Sequence, residues 1–416
     1  MTGTDVDGTA REARAGTAGA FWRYWSASTI SNFGDAVTSV ALPLVAVVLL
    51  HASSLEISLL TAAQYAAWIA IGLPAGVIVQ RLPLRGTQIA MDLIRAAAVV
   101  SVPVAAALDI LSLAQLVVVA LVIGLATVIF DVGNSTFLPM VVSKDELTSR
   151  NSLTSASQAV TQMGGPSLGG VLVQVCGAAV SLVFDTVSYA VSAVLLRTLP
   201  RPPRAEPAAT PEPMIELIKE GWRYVARHKV MRPCVMAATL VNFICGALMA
   251  LIPVFLVRTL DAPAGLVGVL IAGEGLGSLI GAALTTRLAD RLGTARTILF
   301  ATLTGSVFAV LMPLAHAGWG LLLFALGNMG FGAGVVVLSI LTRTHRQTVT
   351  PSVLLPRVMA TVRFVSWGAI PFGALTAGLA ATALGNRGAL WVICALAFLA
   401  PLALWSSSIR RMRDLV

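Results

Sequence analysis

The sequence predicts an all-α integral membrane protein with twelve transmembrane helices in two pseudo-symmetric six-helix bundles. Its 416 residues are 57% hydrophobic and 11% charged, with a mean hydropathy of +0.87, whereas about a quarter of a soluble domain is charged. Apolar runs long enough to cross a bilayer recur along the whole chain. Two similar basic loops also recur half a chain apart, which indicates an internal repeat.

Each helix is predicted where an apolar run approaches the roughly twenty residues that cross about 30 Å of hydrocarbon. The runs of the first half are 21–49, 56–80, 86–108, 112–135, 153–175 and 178–198. Those of the second half are 232–257, 264–286, 295–315, 318–342, 358–384 and 388–408. They define an N-terminal bundle over 21–200 and a C-terminal bundle over 231–408. We expect a disordered cytoplasmic tail over 1–20 and a basic cytoplasmic tail over 409–416.

The segment 201–230 is predicted to be a cytoplasmic linker with an amphipathic helix. A Pro-rich stretch comes first, and Ile215, Ile218, Trp222 and Val225 then follow a 3, 4, 3 spacing that puts them on one helix face. We interpret this helix as a tether on the inner membrane surface. Partner binding is the alternative.

The charge of the chain is explained by topology. Lys and Arg exceed Asp and Glu by 9, and in the predicted topology nearly all basic loop residues fall on one side, with Arg258 and Arg387 as the exceptions. Short cytoplasmic loops collect Lys and Arg in this way. We therefore expect cytoplasmic termini and a plasma (inner) membrane location, with no nucleic-acid partner.

Motifs for enzymatic or metal chemistry are not found in the sequence. No nucleotide-binding or hydrolase motif occurs, and the four cysteines lie singly, without the spacing of a metal site. We predict no enzymatic activity, no metal and no cofactor, and a chain that functions as a monomer.

The loops after the second and eighth spans read GVIVQRLPLR and TRLADRLGTAR, and aligning Gln80 with Asp290 gives an offset of 210 residues. Aligning Pro166 with Pro371 gives 205. The second loop is similar to the inter-helix signature GxLADRxGRR of the major facilitator superfamily; the matching residues are Leu288, Ala289, Asp290, Arg291, Gly293 and Arg296. The first copy keeps Gly76, Arg81 and Arg85.

The resemblance implies gating loops whose charge pairs form and break as two bundles rock. In the first copy Gln80 replaces the acid of the signature, so this loop lacks the usual carboxylate. Ordinary positive-inside charges are the alternative interpretation of the arginines.

The fifth span contains GGPSLGG, which resembles the GPxxGG signature of antiporters in the same superfamily. Gly165, Pro166, Gly169 and Gly170 match it, and the likeness favours export. A small-residue packing face is the alternative. The strings NFGD, DLIRA, EGWRYVARH and LLPRVMATVRF further resemble the drug, macrolide and enterobactin exporters.

Acids inside spans are candidate sites, because a carboxylate at the bilayer centre costs about 2.5–3.5 kcal/mol on insertion scales. Asp35 lies in the first span and Glu274 in the Gly-rich middle of the eighth. Each is predicted to be a proton or substrate site, or otherwise a satisfied structural acid. Asn32 shares a helix face with Asp35. The remaining candidates are Asp185, Gln64 and Asn242.

A structural charge pair is predicted near the inner membrane surface. Asp92 and Arg95 lie together in the third span, and Asp131 in the fourth could meet Arg95. Removing one partner of such a buried pair would be costly.

The function predicted from these features is proton-coupled export by alternating access. The expected partners are a small amphipathic substrate, such as a drug, macrolide, siderophore or secondary metabolite, together with protons and the lipid bilayer. Two alternatives stay open: a nutrient uptake symporter or facilitator, and a non-transporting membrane receptor or scaffold.

Overall fold

A computed structural model describes the backbone of residues 4–52, 54–200, 213–262 and 264–415. Side chains are described for most of these residues; the exceptions are 4–18, 54–59, 61, 62, 64, 65, 166, 264 and 265. All regular structure in these ranges is helical. The Pro-rich part of the predicted linker, 201–212, lies outside the described residues.

Fifteen α-helices follow one another in the described part of the chain. The first seven are α1 (Thr4–Leu50), α2 (Ser54–Arg81), α3 (Leu84–Ala107), α4 (Leu113–Val141), α5 (Leu147–Cys176), α6 (Ala178–Arg197) and α7 (Met214–Arg227). The others are α8 (Met231–Val254), α9 (Ala264–Leu292), α10 (Thr294–Ala309), α11 (Leu311–Leu314), α12 (Leu321–Val349), α13 (Leu355–Trp367), α14 (Ala369–Leu396) and α15 (Leu399–Trp405). A π-helical turn, Phe255–Thr259, extends α8.

The prediction of a disordered tail over 1–20 is wrong from Thr4 onward, because α1 begins there. The segment before the first apolar run is rich in alanine and carries Glu12, Arg11 and Arg14. Alanine, glutamate and arginine are among the best helix formers. The polar segment therefore extends the first spanning helix.

Nine segments of the described chain are long and apolar enough to cross a membrane. One of them, Leu355–Trp405, has 51 residues, which is roughly 75 Å of helix and enough for two crossings, and it bends at Gly385 inside α14. Shorter apolar stretches, Ala66–Arg81 and Ser167–Cys176, lie within α2 and α5. Together these helices supply the twelve crossings that the sequence predicts.

The chain divides into two compact units that differ from continuous halves. Unit 1 comprises 1–147, 161–220 and 351–360, and unit 2 comprises 148–160, 221–350 and 361–416. The first residues of α13 therefore belong to unit 1, and the first turns of α5 belong to unit 2. The predicted division at 21–200 and 231–408 does not show this exchange of segments.

The core of unit 1 is built from small and branched apolar residues of α1, α3, α4 and α6, among them Ala41, Val45, Val99 and Leu182. Small residues let membrane helices approach each other closely. Other apolar residues stay exposed, such as Ile69 at 78%, as expected where the surrounding solvent is lipid.

The cores of unit 2 use larger side chains. Phe255 of the π-helical turn packs beside Phe324 of α12, with ring centroids 6.5 Å apart. A second cluster joins α8, α10 and α12 to the end of the chain at Leu415.

Candidate functional site

A buried arginine organises the polar interior of unit 1. Arg95 of α3 is 0% exposed and forms an ion pair with Asp92 one turn earlier. It also pairs with Asp35 of α1 at 3.4 Å. Its guanidinium lies 4.3 Å from the ring centroid of Phe130 and 4.4 Å from that of Tyr189. Two carboxylates and two aromatic faces therefore compensate this cation inside the unit.

Each acid of the cluster accepts hydrogen bonds from hydroxyl groups. Asp92 accepts from Ser192 of α6 at 2.7 Å, and Asp35 accepts from the hydroxyl of Tyr189. Asp185 of α6 accepts from Thr38 of α1 and, at 3.0 Å, from Ser188. The hydroxyls lower the cost of burying the carboxyl groups.

The three acids differ in access to the surroundings. Asp92 and Asp185 are both 0% exposed, as is Tyr189. The side chain of Asp35 is 31% exposed. Asp35 is therefore the most accessible acid of the cluster.

The cluster contains more acid than base. Asp35 and Asp92 pair with one guanidinium, and the carboxyl group of Asp185 lies close enough to interact electrostatically with Arg95 and Asp35. Asp131 of α4 also lies close enough to repel Asp35 electrostatically. Since uncompensated charge is costly inside a membrane, this excess of acid is the unusual electrostatic feature of the cluster.

Close helix packing holds Asp185 against α1. A methyl group added to Gly34 would lie 2.0 Å from a carboxyl oxygen of Asp185 and 2.0 Å from the hydroxyl of Ser188. Any side chain at this position would displace the side chains of Asp185 and Ser188. The glycine therefore permits the contact between Thr38 and Asp185.

The glycine signature of α5 packs beside the same part of α1. A methyl group on Gly165 would lie 2.3 Å from the Cβ atom of Ala36, and one on Gly169 would lie 3.3 Å from the Cα atom of Val37. Gly170 has nothing within 4 Å of such a methyl group. Two of the four predicted residues thus bring α5 next to Asp35. The side chain of Pro166 lies outside the described residues.

The structure changes how the predicted residues are grouped. Asp92 and Arg95, expected to form a structural pair with Asp131, belong to the cluster around Asp35. Asp185, predicted as a lesser candidate, is fully buried in it.

Asn32 is half-buried, but the residue of that turn that reaches the cluster is Ser31, which lies 3.4 Å from Asp92. The side chain of Gln64 lies outside the described residues.

Sequence reasoning missed the hydroxyl partners of the acids, although one signal was available. Asp185, Ser188 and Ser192 follow a 3, 4 spacing along α6, which places them on one helix face. Tyr189 lies beside them. A polar stripe of this kind in an apolar helix indicates a buried polar partner.

Unit 2 contains one acid that is predicted to be a proton or substrate site, Glu274 of α9. Its side chain is exposed. A methyl group on Gly332 of α12 would lie 2.9 Å from its Cγ atom. In the part of the chain that the structure describes, Glu274 forms no ion pair. Asn242 of α8 donates to the carbonyl of Ala238 in its own helix at 2.8 Å.

The two predicted gating loops are held by different partners. In the first, Gln80 accepts a hydrogen bond from Arg357 of α13, and Arg85 donates to the carbonyl of Leu199. Gly76 lies against the backbone of Arg357, where a methyl group would be 2.8 Å from its Cα atom. Arg81 is exposed.

The second loop is held by the end of the chain. Gly293 has a φ of +88°, which favours glycine, and a methyl group there would lie 2.3 Å from the carbonyl of Arg413. Thr294 donates its backbone N–H to Asp414 at 2.9 Å. The charged signature residues of this loop, Asp290, Arg291 and Arg296, are exposed. The basic tail predicted at 409–416 is therefore docked from Arg413 to Leu415.

A family model described as transmembrane secretion effector matches residues 17–415. The chain belongs to this family of major facilitator transporters. The predicted fold, the superfamily and the absence of enzymatic function are thereby confirmed, whereas the drug, macrolide and enterobactin branch stays a prediction.

Two curated relatives of this transporter are named as uncharacterised MFS-type transporters. The MFS-type transporter YfiS of Bacillus subtilis is 28% identical over 384 residues, with 90% of this chain and 88% of the relative covered. The MFS-type transporter y4rN of Sinorhizobium fredii is 29% identical over 265 residues, 63% of this chain, and the match spans 64% of the relative's length.

Solved structures of major facilitator transporters share the fold. A bacterial homologue of the iron transporter ferroportin has a TM-score of 0.78 at 14% identity, with 92% of this chain and 98% of that chain covered. FucP gives 0.75 at 13%, with 92% and 97% covered. The human organic anion transporter MFSD10 gives 0.68 at 17%, with 93% and 99% covered. Identities this low support the fold alone.

Proposed function

We propose that this transporter is a proton-coupled exporter of small amphipathic molecules that carry positive charge. Drugs, macrolides, siderophores and secondary metabolites with a basic group are the candidate substrates. The observation that carries the proposal is the excess of carboxyl groups over guanidinium in the cluster of Asp35, Asp92, Arg95 and Asp185.

The cluster suits exchange between a proton and a cation. When Asp35 is neutral, Arg95 is balanced by Asp92; when Asp35 is ionised, it adds a charge that Arg95 shares. A cationic substrate that approaches the exposed carboxyl group of Asp35 stabilises its ionised form, so that its proton is released. Binding of the substrate and binding of the proton therefore oppose each other, as an antiporter requires.

The packing of α5 supports the same function. Gly165 and Gly169 bring α5 against α1 at the two residues that follow Asp35. A tilt of α5 would therefore alter the surroundings of this acid directly. The resemblance of this stretch to the antiporter signature favours export over uptake.

The proposed location is the plasma (inner) membrane, with both termini in the cytoplasm and the chain active as a monomer. The concentration of arginine in alternate loops supports this orientation. Fusing a reporter after the last residue and testing its accessibility to an impermeant reagent checks the side of the C-terminus.

The function is tested by reconstitution into vesicles with an imposed pH gradient, followed by uptake of cationic dyes and macrolide-like compounds. Wild type is compared with Asp35→Asn and with Glu274→Gln. Asp109→Asn is the matched control, because Asp109 is an exposed loop acid with a φ of +56°, a conformation that asparagine also tolerates.

We expect wild type to move the compounds in response to the gradient and Asp35→Asn to lose that response, with the control unchanged. Gradient-driven movement that survives in Asp35→Asn would remove Asp35 from the coupling site. Movement in the direction of the proton flow would instead establish the uptake symporter, and movement independent of the gradient a facilitator. Failure of every compound to move would count against export of cationic molecules and would favour the nutrient and receptor alternatives.

A further inference from the structure

The two copies of the gating loop differ by one charge. The second copy has Asp290 where the first has Gln80. An amide oxygen accepts a hydrogen bond but carries no net charge. The first copy therefore lacks a carboxylate of its own to balance a nearby cation.

A cation nevertheless lies against this loop. Arg357, at the start of α13, belongs to unit 1 together with α2, and its side chain is 7% exposed. Its Nε atom donates to the amide oxygen of Gln80. A guanidinium buried to this degree is costly unless it also has an anionic partner.

The anionic partner comes from the linker helix. Glu220 of α7 forms an ion pair with the Nη1 atom of Arg357. Leu217, one turn earlier on α7, is 7% exposed and anchors this part of the helix. The interaction therefore joins three segments that are remote in sequence, at Gln80, Glu220 and Arg357.

We propose that Glu220 supplies the negative charge that the first gating loop lacks at Gln80, so that α7 helps to hold the start of α13 against α2. The tight fit at Gly76 supports this assignment. A methyl group there would lie 2.7 Å from the carbonyl of Pro356 and 2.8 Å from the Cβ atom of Ala360. The backbone of α13 is thus packed directly on α2, and the charge pair lies beside that contact.

The linker helix offers an internal comparison. Glu216 pairs with Lys219 at 2.8 Å, but both side chains are about half exposed, at 48% and 55%. Such surface pairs contribute little to stability. Glu220 has the same exposure, 48%, but its partner is nearly buried. The burial of Arg357 distinguishes the two pairs.

Amide hydrogen exchange of the purified transporter in lipid nanodiscs tests the proposal without a substrate. In Glu220→Gln, we expect the amides of 352–360 to exchange about tenfold faster, as for loss of a hydrogen bond to a charged group. Gln80→Asp in the Glu220→Gln background should return exchange to the wild-type rate. Glu216→Gln should leave it unchanged.

Two outcomes would overturn the proposal. Exchange of 352–360 could be unaffected by Glu220→Gln, or the acceleration could persist after a carboxylate is restored at position 80. Gln80→Glu is a second restoring variant in case the aspartate is too short. Unchanged exchange across α3 and α6 in every variant shows that the fold of unit 1 is intact. Because this measurement requires neither proton nor substrate, its failure is distinguishable from failure of the export proposal.

Discussion

The polar interiors of the two units differ, although the loops at 80 and 290 mark them as copies of one repeat. Unit 1 gathers Asp35, Asp92 and Arg95 into one group of ion pairs, and Asp185 lies close enough to interact with it electrostatically. In the described part of unit 2 the predicted acid, Glu274, is exposed and forms no ion pair. The two units are thus both helical but differ in the charges of their interiors, and coupling chemistry in our proposal rests on unit 1.

The largest effect is expected from Arg95→Met, because this variant leaves the acids of unit 1 without their cation. Removing one partner of a buried charge network costs about 3–5 kcal/mol. Thermal denaturation in detergent should show a much lower midpoint or a loss of folded protein. Arg95→Lys should be less severe, since it keeps the charge and loses the planar stacking. A midpoint equal to wild type for Arg95→Met would show that the acids need no cation.

Gly34→Ala tests the helix contact that positions Asp185. The added methyl group overlaps Asp185 and Ser188, and overpacking of this kind costs about 1–3 kcal/mol. The midpoint of thermal denaturation should fall. Gly164→Ala is the matched control, because a methyl group there meets nothing within 4 Å and alanine favours helix by up to about 1 kcal/mol. Equal midpoints for both variants would contradict the close packing of α1 and α6.

His228 gives unit 2 a pH dependence of its own, outside the membrane-spanning segments. Burial lowers the pKa of His228, and its Nδ1 atom accepts from the backbone N–H groups of Val230 and Met231 at 3.3 and 3.1 Å. Because the unfolded chain binds this proton more readily, stability should decline as the pH falls below about 6.5. These two hydrogen bonds are expected to contribute about 1 kcal/mol to the free energy of unfolding, as for a helix cap.

The measurement is the denaturation midpoint between pH 5 and pH 8 in wild type and in His228→Asn. The variant should lose part of the decline on the acid side, because asparagine offers an acceptor that does not titrate in this range. A decline of the same size in both proteins would assign the pH dependence to other groups.

The smallest effect is expected from Glu274→Gln. Since Glu274 is exposed and has no ion pair in the described residues, the free energy of unfolding should stay within about 0.5 kcal/mol of wild type. The midpoint of thermal denaturation should therefore be nearly unchanged. A large loss of stability would show that unit 2 also depends on a charge interaction and would remove the contrast with unit 1.

The helices could be predicted closely from hydropathy, because lipid selects long apolar runs. The run 86–108, for example, became α3 at Leu84–Ala107. The polar start of α1 depends instead on helix propensity, which hydropathy does not record. The exchange of 148–160 and 351–360 between the units leaves no trace in hydropathy, because it depends on contacts between distant segments.

The candidate site was predictable in part, because hydropathy also reveals charged residues inside apolar helices. Asp35 and Asp185 stand out as acids in apolar helices, but their partners come from other helices. The sequence predicts that Arg95 meets Asp131, because both are near the same membrane surface, whereas the packing of α1, α3 and α6 brings Arg95 to Asp35. Partners such as Glu220 for Arg357 are 137 residues apart and follow from the fold alone.

The docking of Arg413–Leu415 on the second gating loop has a consequence for biosynthesis. Thr294 and Asp414 are 120 residues apart, so the loop between α9 and α10 is made long before the residues that hold it. A chain grows from its N-terminus at about 5–20 residues per second. For several seconds, therefore, the basic turn stays open while α10 to α15 are synthesised, and it closes only after Arg413–Leu415 have been added.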